Sequence, residues 1–437
     1  MARILFTFLG RGRLDAAGAY VQARYDLPSQ PPPTPYFALA LLHDFATRKR
    51  PVDRLVVLGT DGSMWDALAD AFGLAEQSCA WLDELRAASR GGCATPAHLA
   101  DLAARLEKAD GPCVEPVLIS SCVKEEEALD VVRLVSERIA PGDQVNFDVT
   151  HGYRHLPLIA LTALATAQAS APIVVEGVYY GALEMGRGQR ATPVLRLDGY
   201  LRLLDWVKAL AAYDASGDPA PLGVLIDEEC DAGLSEPLAE AGFQERILNI
   251  DAAREPVERM RSALENASGV GSLFRKEIAD RFAWTRQSLL WRRQHMLAMR
   301  HLRHGAGTQA VLLLFEAAIS REIERDAEAA RNGSVNQRNR REAAKLSLEN
   351  QRFSIPEWSQ QQRAPRARQS AAVRRAKAFL TLKDMRNVLA HVGATKSVSA
   401  RNAMRSRHAM NETLREIAED LFGPSSRSIA NEKRDRQ

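Results

Sequence analysis

The sequence lacks the long apolar run that a membrane-spanning helix needs, since no stretch of about 18 consecutive apolar residues occurs. The apolar run at the start, MARILFTFLG, is too short for a signal peptide and predicts a first strand instead. Five cysteines, an odd number, are scattered without any C-x-x-C pair, which argues against a disulfide framework and against a zinc knuckle. These absences predict a cytoplasmic protein that does not act in a membrane.

The charge of the chain is small overall but unevenly distributed. Its 437 residues favour two or three domains, and a composition of 46% hydrophobic and 26% charged residues is ordinary for a globular protein. Residues 331–410 contain 18 Lys and Arg against 4 Asp and Glu, a local charge of +14, so the remainder carries −11. This polarity predicts that the C-terminal part meets a polyanion. The alternative is a solvated, partly disordered basic segment over residues 331–372.

The first half of the chain alternates strand-like and helix-like patterns. Strands are predicted at 4–9, 19–25, 55–58, 117–120, 145–149 and 173–180. Helices are predicted at 36–45, 64–72, 98–108, 125–139 and from the Thr150 region to about 169. Strands separated by helices of this length predict a mostly parallel sheet that is covered on both faces, a Rossmann-like α/β domain.

The second half has a helical pattern and no predicted strand. From Leu201 onward apolar residues recur at helical spacing, with further helical runs predicted at 257–264, 288–300, 309–330, 372–390 and 411–421. Residues 331–370 are rich in Asn, Gln and Arg, which predicts a mobile or inserted loop. The tail from Gly423 is predicted to fray. The chain is therefore predicted to be α/β followed by all-α.

Three strand ends in the first half carry similar polar chemistry. The residues predicted to bind a ligand there are Gly10, Arg11 and Gly12, then Gly59, Thr60, Asp61 and Ser63, then Asp148, Thr150, His151, Gly152 and Arg154. Glycines allow backbone N–H groups to approach a ligand, and parallel strands bring their carboxyl ends to one edge. Helix N-termini at that edge favour an anion, so a phosphate-bearing ligand is predicted. Neither G-x-x-x-x-G-K-[ST] nor G-x-G-x-x-G is present.

The role of His151 is left open by the sequence. His155 stands four residues later, so a zinc site is one alternative, while a ligand hydrogen bond and a structural histidine are the others. Arg11 and Arg154 are the stronger electrostatic candidates for phosphates.

A second constellation is Arg386, Asn387 and His391, near the end of a predicted apolar helix. Residues i and i+5 on a helix point about 140° apart, so the pair converges only if the helix ends near His391, which Gly393 favours, or if it meets a matching pair from a second subunit. A histidine titrates near neutrality and can move a proton, an arginine can stabilise charge on phosphorus, and Asn387 can orient either group. The pair therefore fits phosphodiester cleavage without a metal. As a pattern alone it marks a solvated helix end more often than a catalytic pair.

The combination resembles a known family. D-V-T-H-G at 148–152, followed by Y-R-x-L-P, resembles the D-x-T-H-G signature of CRISPR-associated CARF proteins. The tracts at 8–12, 34–42, 57–66 and 177–184 are similar to that group as well. R-N-x-x-x-H in a C-terminal helix is similar to the HEPN ribonuclease motif. The resemblance covers about the first 215 residues and the helix that carries Arg386.

The resemblance implies an accessory ribonuclease of type III CRISPR systems. It implies a CARF domain over 1–195, a helical linker region over 196–300 and a HEPN domain over 301–437 with a basic insertion at about 331–370. It further implies a homodimer, or a higher even oligomer, activated by a cyclic oligoadenylate to cut single-stranded RNA without a metal or other cofactor. Two-fold symmetry requires an even ring, and the tetra-adenylate is favoured over the hexa-adenylate.

Two other readings remain open. The chain could be a nucleotide-sensing regulator whose basic half binds nucleic acid without cutting it. The first domain could also degrade its own activator slowly, with Thr60, Ser63, Thr150 and His151 positioning that reaction.

Overall fold

The structure, a computed structural model, divides the chain into two compact units, residues 1–203 and 204–437. It describes residues 1–74, 80–107, 111–186, 190–325, 338–391 and 397–423. No helix in these ranges is long and apolar enough to cross a membrane. The boundaries near 195 and 300 that follow from the family resemblance stay predictions.

The first unit is built on one six-stranded sheet in the order β3-β2-β1-β4-β5-β6. Its strands are β1 (Arg3–Leu9), β2 (Arg54–Gly59), β3 (Cys113–Leu118), β4 (Gln144–Asp148), β5 (Val174–Gly181) and β6 (Val194–Arg196). Strands β1 to β5 pair in parallel, and β6 pairs antiparallel to β5. The mostly parallel sheet predicted from the sequence is confirmed.

Helices cover both faces of this sheet because side chains alternate along each strand. The helices are α1 (Phe37–Thr47), α2 (Trp65–Ala71), α3 (Ala80–Gly91), α4 (Pro96–Leu106), α5 (Glu125–Glu137) and α6 (Leu156–Ser170). In β1, Leu5 and Leu9 face a core formed with α1 to α4. Ile4, Phe6 and Phe8 face the opposite core, formed with α5 and α6. Both faces of the sheet are therefore apolar, as a parallel sheet requires.

One predicted strand is wrong. Residues 19–25 form only isolated bridges, in which Tyr20 pairs with Leu14 and Ala23 pairs with Thr34. The partner segment carries prolines at 31–33 and 35, which lack the N–H groups that a longer ladder needs. Helix α3 and the short strand β6 were not predicted from the sequence.

The second unit is helical throughout the residues that the structure describes. Its helices are α7 (Gly199–Ser216), which begins in the first unit, α8 (Ala220–Cys230), α9 (Ser235–Arg246), α10 (Ile250–Asn266), α11 (Arg275–Arg281), α12 (Leu290–Arg303), α13 (Gly307–Arg325), α14 (Arg338–Asn350), α15 (Trp358–Gln361), α16 (Ala371–Ala390), α17 (Val398–Met404) and α18 (Arg407–Phe422). Helices α12 and α13, together with α16 and α18, pack around one shared apolar core. The prediction of a strand-free second half is confirmed for these residues.

The basic segment predicted as a loop is largely helical where it is described. In α14, Ala344 and Leu348 are buried and stand four residues apart, which is helical spacing. The many arginines around them made this spacing hard to recognise in the sequence. Ser347 donates to Glu322 of α13 over 3.1 Å, and Lys383 of α16 lies 2.7 Å from Glu349. The segment is therefore part of the helical core. Residues 331–337 and the tail at 424–437 lie outside the described ranges.

Candidate functional site

A pocket opens where the sheet reverses its strand order. β1 lies between β2 and β4, so the chain leaves β1 toward one edge of the sheet and leaves β4 toward the other edge. Open α/β sheets bind ligands where the strand order reverses in this way. The pocket has a volume of about 620 Å³ and is formed by the loops at the carboxyl ends of β1, β2 and β4. The prediction that these three strand ends converge is confirmed.

Nine of the twelve residues predicted to bind a ligand line this pocket: Gly10, Arg11, Gly59, Thr60, Asp61, Ser63, Thr150, His151 and Gly152. Gly12, Asp148 and Arg154 are not among its described lining residues. Gly12 packs against Tyr20 and Met64. The Arg154 side chain is 97% exposed and lies 3.9 Å from Glu184, so it points to solvent and not to the pocket wall.

Two glycines bring the β1 and β4 loops into backbone contact. A Cβ atom on Gly10 would lie 2.6 Å from the backbone nitrogen of Gly152, a separation that no side chain tolerates. Gly152 itself has φ +94°, which favours glycine, and a Cβ there would meet Leu156 at 2.8 Å. The floor of the pocket is thus bare backbone, which suits the close approach of a phosphate.

The β2 loop is held by Ser63. Its hydroxyl donates to the carbonyl of Leu9 and accepts from the N–H of Thr60 over 2.8 Å. The indole of Trp65 donates to the Thr60 carbonyl over 2.9 Å. These bonds tie the ends of β1 and β2 together, so the loop is a preformed wall.

Arg11 supplies the positive charge of the pocket. Its guanidinium lies against the backbones of Gly62 and Gly92, where a Cβ atom on either glycine would be 3.4 or 3.5 Å from Nη2. The side chain is exposed. A cation held beside glycine backbone is a suitable partner for a phosphate.

His151 anchors a neighbouring helix as well as lining the pocket. Its Nε2 accepts from the N–H of Phe37, the first residue of α1, over 3.2 Å. Burial lowers the pKa of His151 to about 4, so the imidazole is neutral at neutral pH. With Nε2 acting as acceptor, Nδ1 carries the proton and is a hydrogen-bond donor.

The zinc alternative is not supported by the geometry. Nε2 of His155 lies 3.1 Å from the carbonyl oxygen of Ser121, to which it donates. Among the described residues, no group of three or more His, Cys, Asp or Glu side chains is placed to hold a metal ion, and the lone pair of His151 Nε2 already accepts from Phe37.

Asp148 lies beneath the pocket in a chain of hydrogen bonds. It is fully buried and accepts from the hydroxyl of Thr7 and from the N–H of Thr150, each over 2.8 Å. Tyr36 donates to the Thr7 hydroxyl over 2.9 Å, and the Thr150 hydroxyl accepts from the N–H of Gly181 over 2.7 Å. The carboxylate thus joins β1, β4, β5 and the start of α1, and it positions the pocket loops.

Burial also makes Asp148 a source of pH-dependent stability. It raises the pKa of this carboxyl from 3.8 to about 6, so the native state binds the proton more tightly than the unfolded chain. The stability that protonation adds is complete below about pH 4 and is lost as the pH rises through 6. This difference in pKa between the unfolded and the native state corresponds to about 3 kcal/mol of unfolding free energy.

We expect Asp148→Asn to remove this dependence, since an amide can accept from Thr150 and donate to Thr7. The variant's free energy of unfolding for the first unit, minus that of the native protein, should rise by up to about 3 kcal/mol between pH 4 and 7. Hydrogen exchange of the β1 and β4 amides measures this unit alone. A difference between the two proteins that does not change with pH would contradict the account.

Part of the pocket wall was not predicted from the sequence. Gly91 ends α3, Gly92 follows it, and Ile119 follows β3, so all three come from elements outside the three predicted loops. The Gly-Gly pair is a turn signal that could have been noticed. Tyr153 also lines the pocket, and no pattern in the sequence distinguishes it.

The second predicted site lies at the end of α16. This helix ends at Ala390, and His391 is its C-cap with φ −120° and ψ 30°, so the predicted helix end is confirmed. Nη1 of Arg386 donates to Oδ1 of Asn387 over 3.3 Å, and the guanidinium lies 5.8 Å from the centre of the Phe315 ring. Arg386 and His391 are both exposed. Gly393 lies outside the described residues.

Comparison with known proteins gives limited similarity. No model of a protein family matches the chain. CRISPR-associated protein MJ1674 of Methanocaldococcus jannaschii is 21% identical over 154 residues, which is 35% of this chain and 24% of that protein. The structure of Enterococcus italicus Csm6 bound to cyclic hexa-2'-fluoro-hexa-dAMP aligns over 100% of this chain and 98% of its own, with a TM-score of 0.39 and 11% identity. The chain thus matches about a quarter of the archaeal relative's length.

Proposed function

We propose that this protein is an endoribonuclease of type III CRISPR defence that cuts single-stranded RNA when a cyclic oligoadenylate binds its first unit. The observation that carries the proposal is the single pocket formed by Gly10, Arg11, Thr60, His151 and Gly152 at the switch point of the sheet. The motif resemblance and the 154-residue similarity to a CRISPR-associated protein support it.

The pocket suits a phosphodiester ligand. Bare backbone at Gly10 and Gly152 fits phosphate oxygens, and Arg11 adds a positive charge. The neutral imidazole of His151 is suited to a hydrogen bond with an uncharged sugar or base atom, because it carries no charge for a phosphate. A ring shared by two identical pockets needs an even number of nucleotides, and we favour four over six.

The end of α16 is proposed as the catalytic site. The imidazole of His391 takes the proton of the 2′-hydroxyl, the 2′-oxygen attacks phosphorus, and the bond to the 5′-oxygen breaks. The departing oxygen takes a proton from an imidazolium, and the products are a 2′,3′-cyclic phosphate and a 5′-hydroxyl. Arg386 stabilises the extra negative charge on phosphorus, and Asn387 orients Arg386 through their hydrogen bond. No metal enters this scheme.

Two subunits are proposed to contribute to each cut. One exposed Arg386 and His391 at a helix end leave much of a bound phosphate open, and a second copy supplies a matching pair. We propose a homodimer on this basis.

Slow destruction of the activator in the pocket is less favoured by the geometry. The hydroxyls of Ser63 and Thr150 are already bonded to Leu9 and Gly181, and the Nε2 of His151 is bonded to Phe37. Ser63 already donates its hydroxyl proton to the backbone, and the lone pair of His151 Nε2 is already in use, so neither group takes a proton from a ligand in this arrangement.

Binding of labelled cyclic tetra-adenylate and hexa-adenylate to the intact protein tests the sensing half of the proposal. We expect saturable binding, tighter for the tetra-adenylate, and none for a linear tetra-adenylate at the same concentration. If neither ring binds, the pocket is not an oligoadenylate site. If a ring binds and RNA is held but never cut, the protein is the non-catalytic regulator instead.

A further inference from the structure

The second unit carries a cluster of arginines and aromatic rings on four helices. We call it the arginine–tryptophan patch, and its members are Trp291 and Arg292 of α12, Arg321 and Arg325 of α13, Arg375 of α16 and Phe422 of α18. Trp291 and Phe422 stack with their ring centres 5.8 Å apart. The guanidinium of Arg321 lies 4.9 Å from the Trp291 ring centre.

The arginines of the patch repel one another. Burial lowers the pKa of Arg321, and the charges of Arg375, Arg325 and Arg292 lower it further. The pKa of Arg375 is lowered in the same way, by burial first and then by Arg325. The folded chain thus holds these cations together at an energetic cost that a bound polyanion would relieve.

The nearby carboxylates balance only part of this charge. Glu322 lies 3.4 Å from Arg375 and 3.9 Å from Arg325. Glu324 interacts with Arg293 more strongly than with Arg292, and one of its oxygens accepts the N–H of Leu290. Among the residues that the structure describes, four guanidinium groups of the patch therefore face two carboxylates, and their balance is positive.

Helices α13 and α16 connect the patch to the proposed catalytic end of α16. Phe315 of α13 contacts Arg386, and Glu322, seven residues further along α13, contacts Arg375. Since Arg375 precedes Arg386 by eleven residues, the patch lies about 16 Å along α16 from Arg386. An extended strand that is cut at Arg386 can reach it.

We propose that the arginine–tryptophan patch is a docking surface for single-stranded nucleic acid. The arginines pair with phosphates, and a base stacks on Trp291. Arg292 is exposed, and its guanidinium lies 5.3 Å from the Trp291 ring centre, so it can move to a phosphate and leave that ring face to a base. The assignment rests on the proposed function, because it places part of the RNA that is cut at His391. An acidic protein segment would use the charges but not the ring.

Binding of a labelled 20-nucleotide RNA to the full-length His391→Ala protein tests this surface without any need for cleavage. In that background, Arg292→Glu with Arg325→Glu should weaken binding at least about tenfold and lower the salt slope by about 1.4, the value for two lost phosphate contacts on a single strand. The matched control is Arg246→Glu with Arg259→Glu, since these side chains are 45% and 48% exposed and lie on α9 and α10. The control should bind within about twofold of its parent.

Three outcomes would overturn the proposal: equal loss in the control, unchanged affinity in the patch variant, or competition by polyglutamate as strong as by unlabelled RNA. Melting temperatures of both double variants show whether they fold. Because binding is measured in an inactive background, a protein that holds RNA at the patch but has no nuclease activity refutes the proposed function and leaves the patch assignment standing.

Discussion

Replacing His391 by alanine is expected to reduce RNA cleavage at least about 100-fold at saturating activator, since a positioned general acid or base contributes about that factor or more. The side chain is exposed at the end of α16, so its loss should leave the fold of the second unit unchanged. Cleavage of an end-labelled RNA under single-turnover conditions measures the effect. Arg386→Ala should have an effect of similar size through the loss of charge stabilisation on phosphorus.

His408→Ala is the matched control for this prediction. His408 is 84% exposed and lies on α18 of the same unit, 3.4 Å from Glu412. It should cut at the native rate. Binding of the oligoadenylate should be unchanged in all three variants, because the pocket belongs to the first unit. If His391→Ala cuts at the native rate, the end of α16 is not the catalytic site.

Replacing Arg11 by alanine is expected to raise the oligoadenylate concentration needed for half-maximal cleavage about 10- to 100-fold. A hydrogen bond to a charged group contributes about 1.5–3 kcal/mol, and each 1.4 kcal/mol is a factor of ten in affinity. The guanidinium lies beside the backbones of Gly62 and Gly92, so this variant removes a charge from the wall and leaves the loops in place. An activator titration of RNA cleavage, with direct binding in parallel, measures it.

Arg13→Ala controls for the general loss of positive charge near the pocket. Arg13 is exposed, two residues from Arg11, and outside the described pocket lining. It should shift the titration by less than about twofold. Equal shifts in the two variants would mean that Arg11 acts through overall charge and not through a contact with the ligand.

The architecture of the first unit was predictable because its signals are local and strong. The run at Ile4–Leu9 is apolar at every position except Thr7, as a strand buried on both faces should be. In the run at 145–149, Val145, Phe147 and Val149 are apolar. Parallel pairing then requires their carboxyl ends to meet, which is why Gly10, Thr60 and Gly152 could be assigned to one site. The role of Asp148 could not be assigned, since it accepts a hydrogen bond from Thr7, which is 141 residues away in the sequence.

The second unit was harder to predict because its structure depends on tertiary packing. The arginines of α14 suggest disorder by composition, and only contacts with α13 and α16 explain why the segment is helical. The arginine–tryptophan patch likewise draws on four helices, and Trp291 and Phe422 stand far apart in sequence. No local pattern brings such residues together.

Cleavage of labelled RNA by the native protein, with and without cyclic tetra-adenylate and in the presence of a chelator, tests the central claim most directly. The account predicts rapid cleavage only when the ring is present, products that end in a 2′,3′-cyclic phosphate, and no effect of the chelator. RNA left intact with both the tetra-adenylate and the hexa-adenylate would contradict it, as would cleavage at the same rate without either ring.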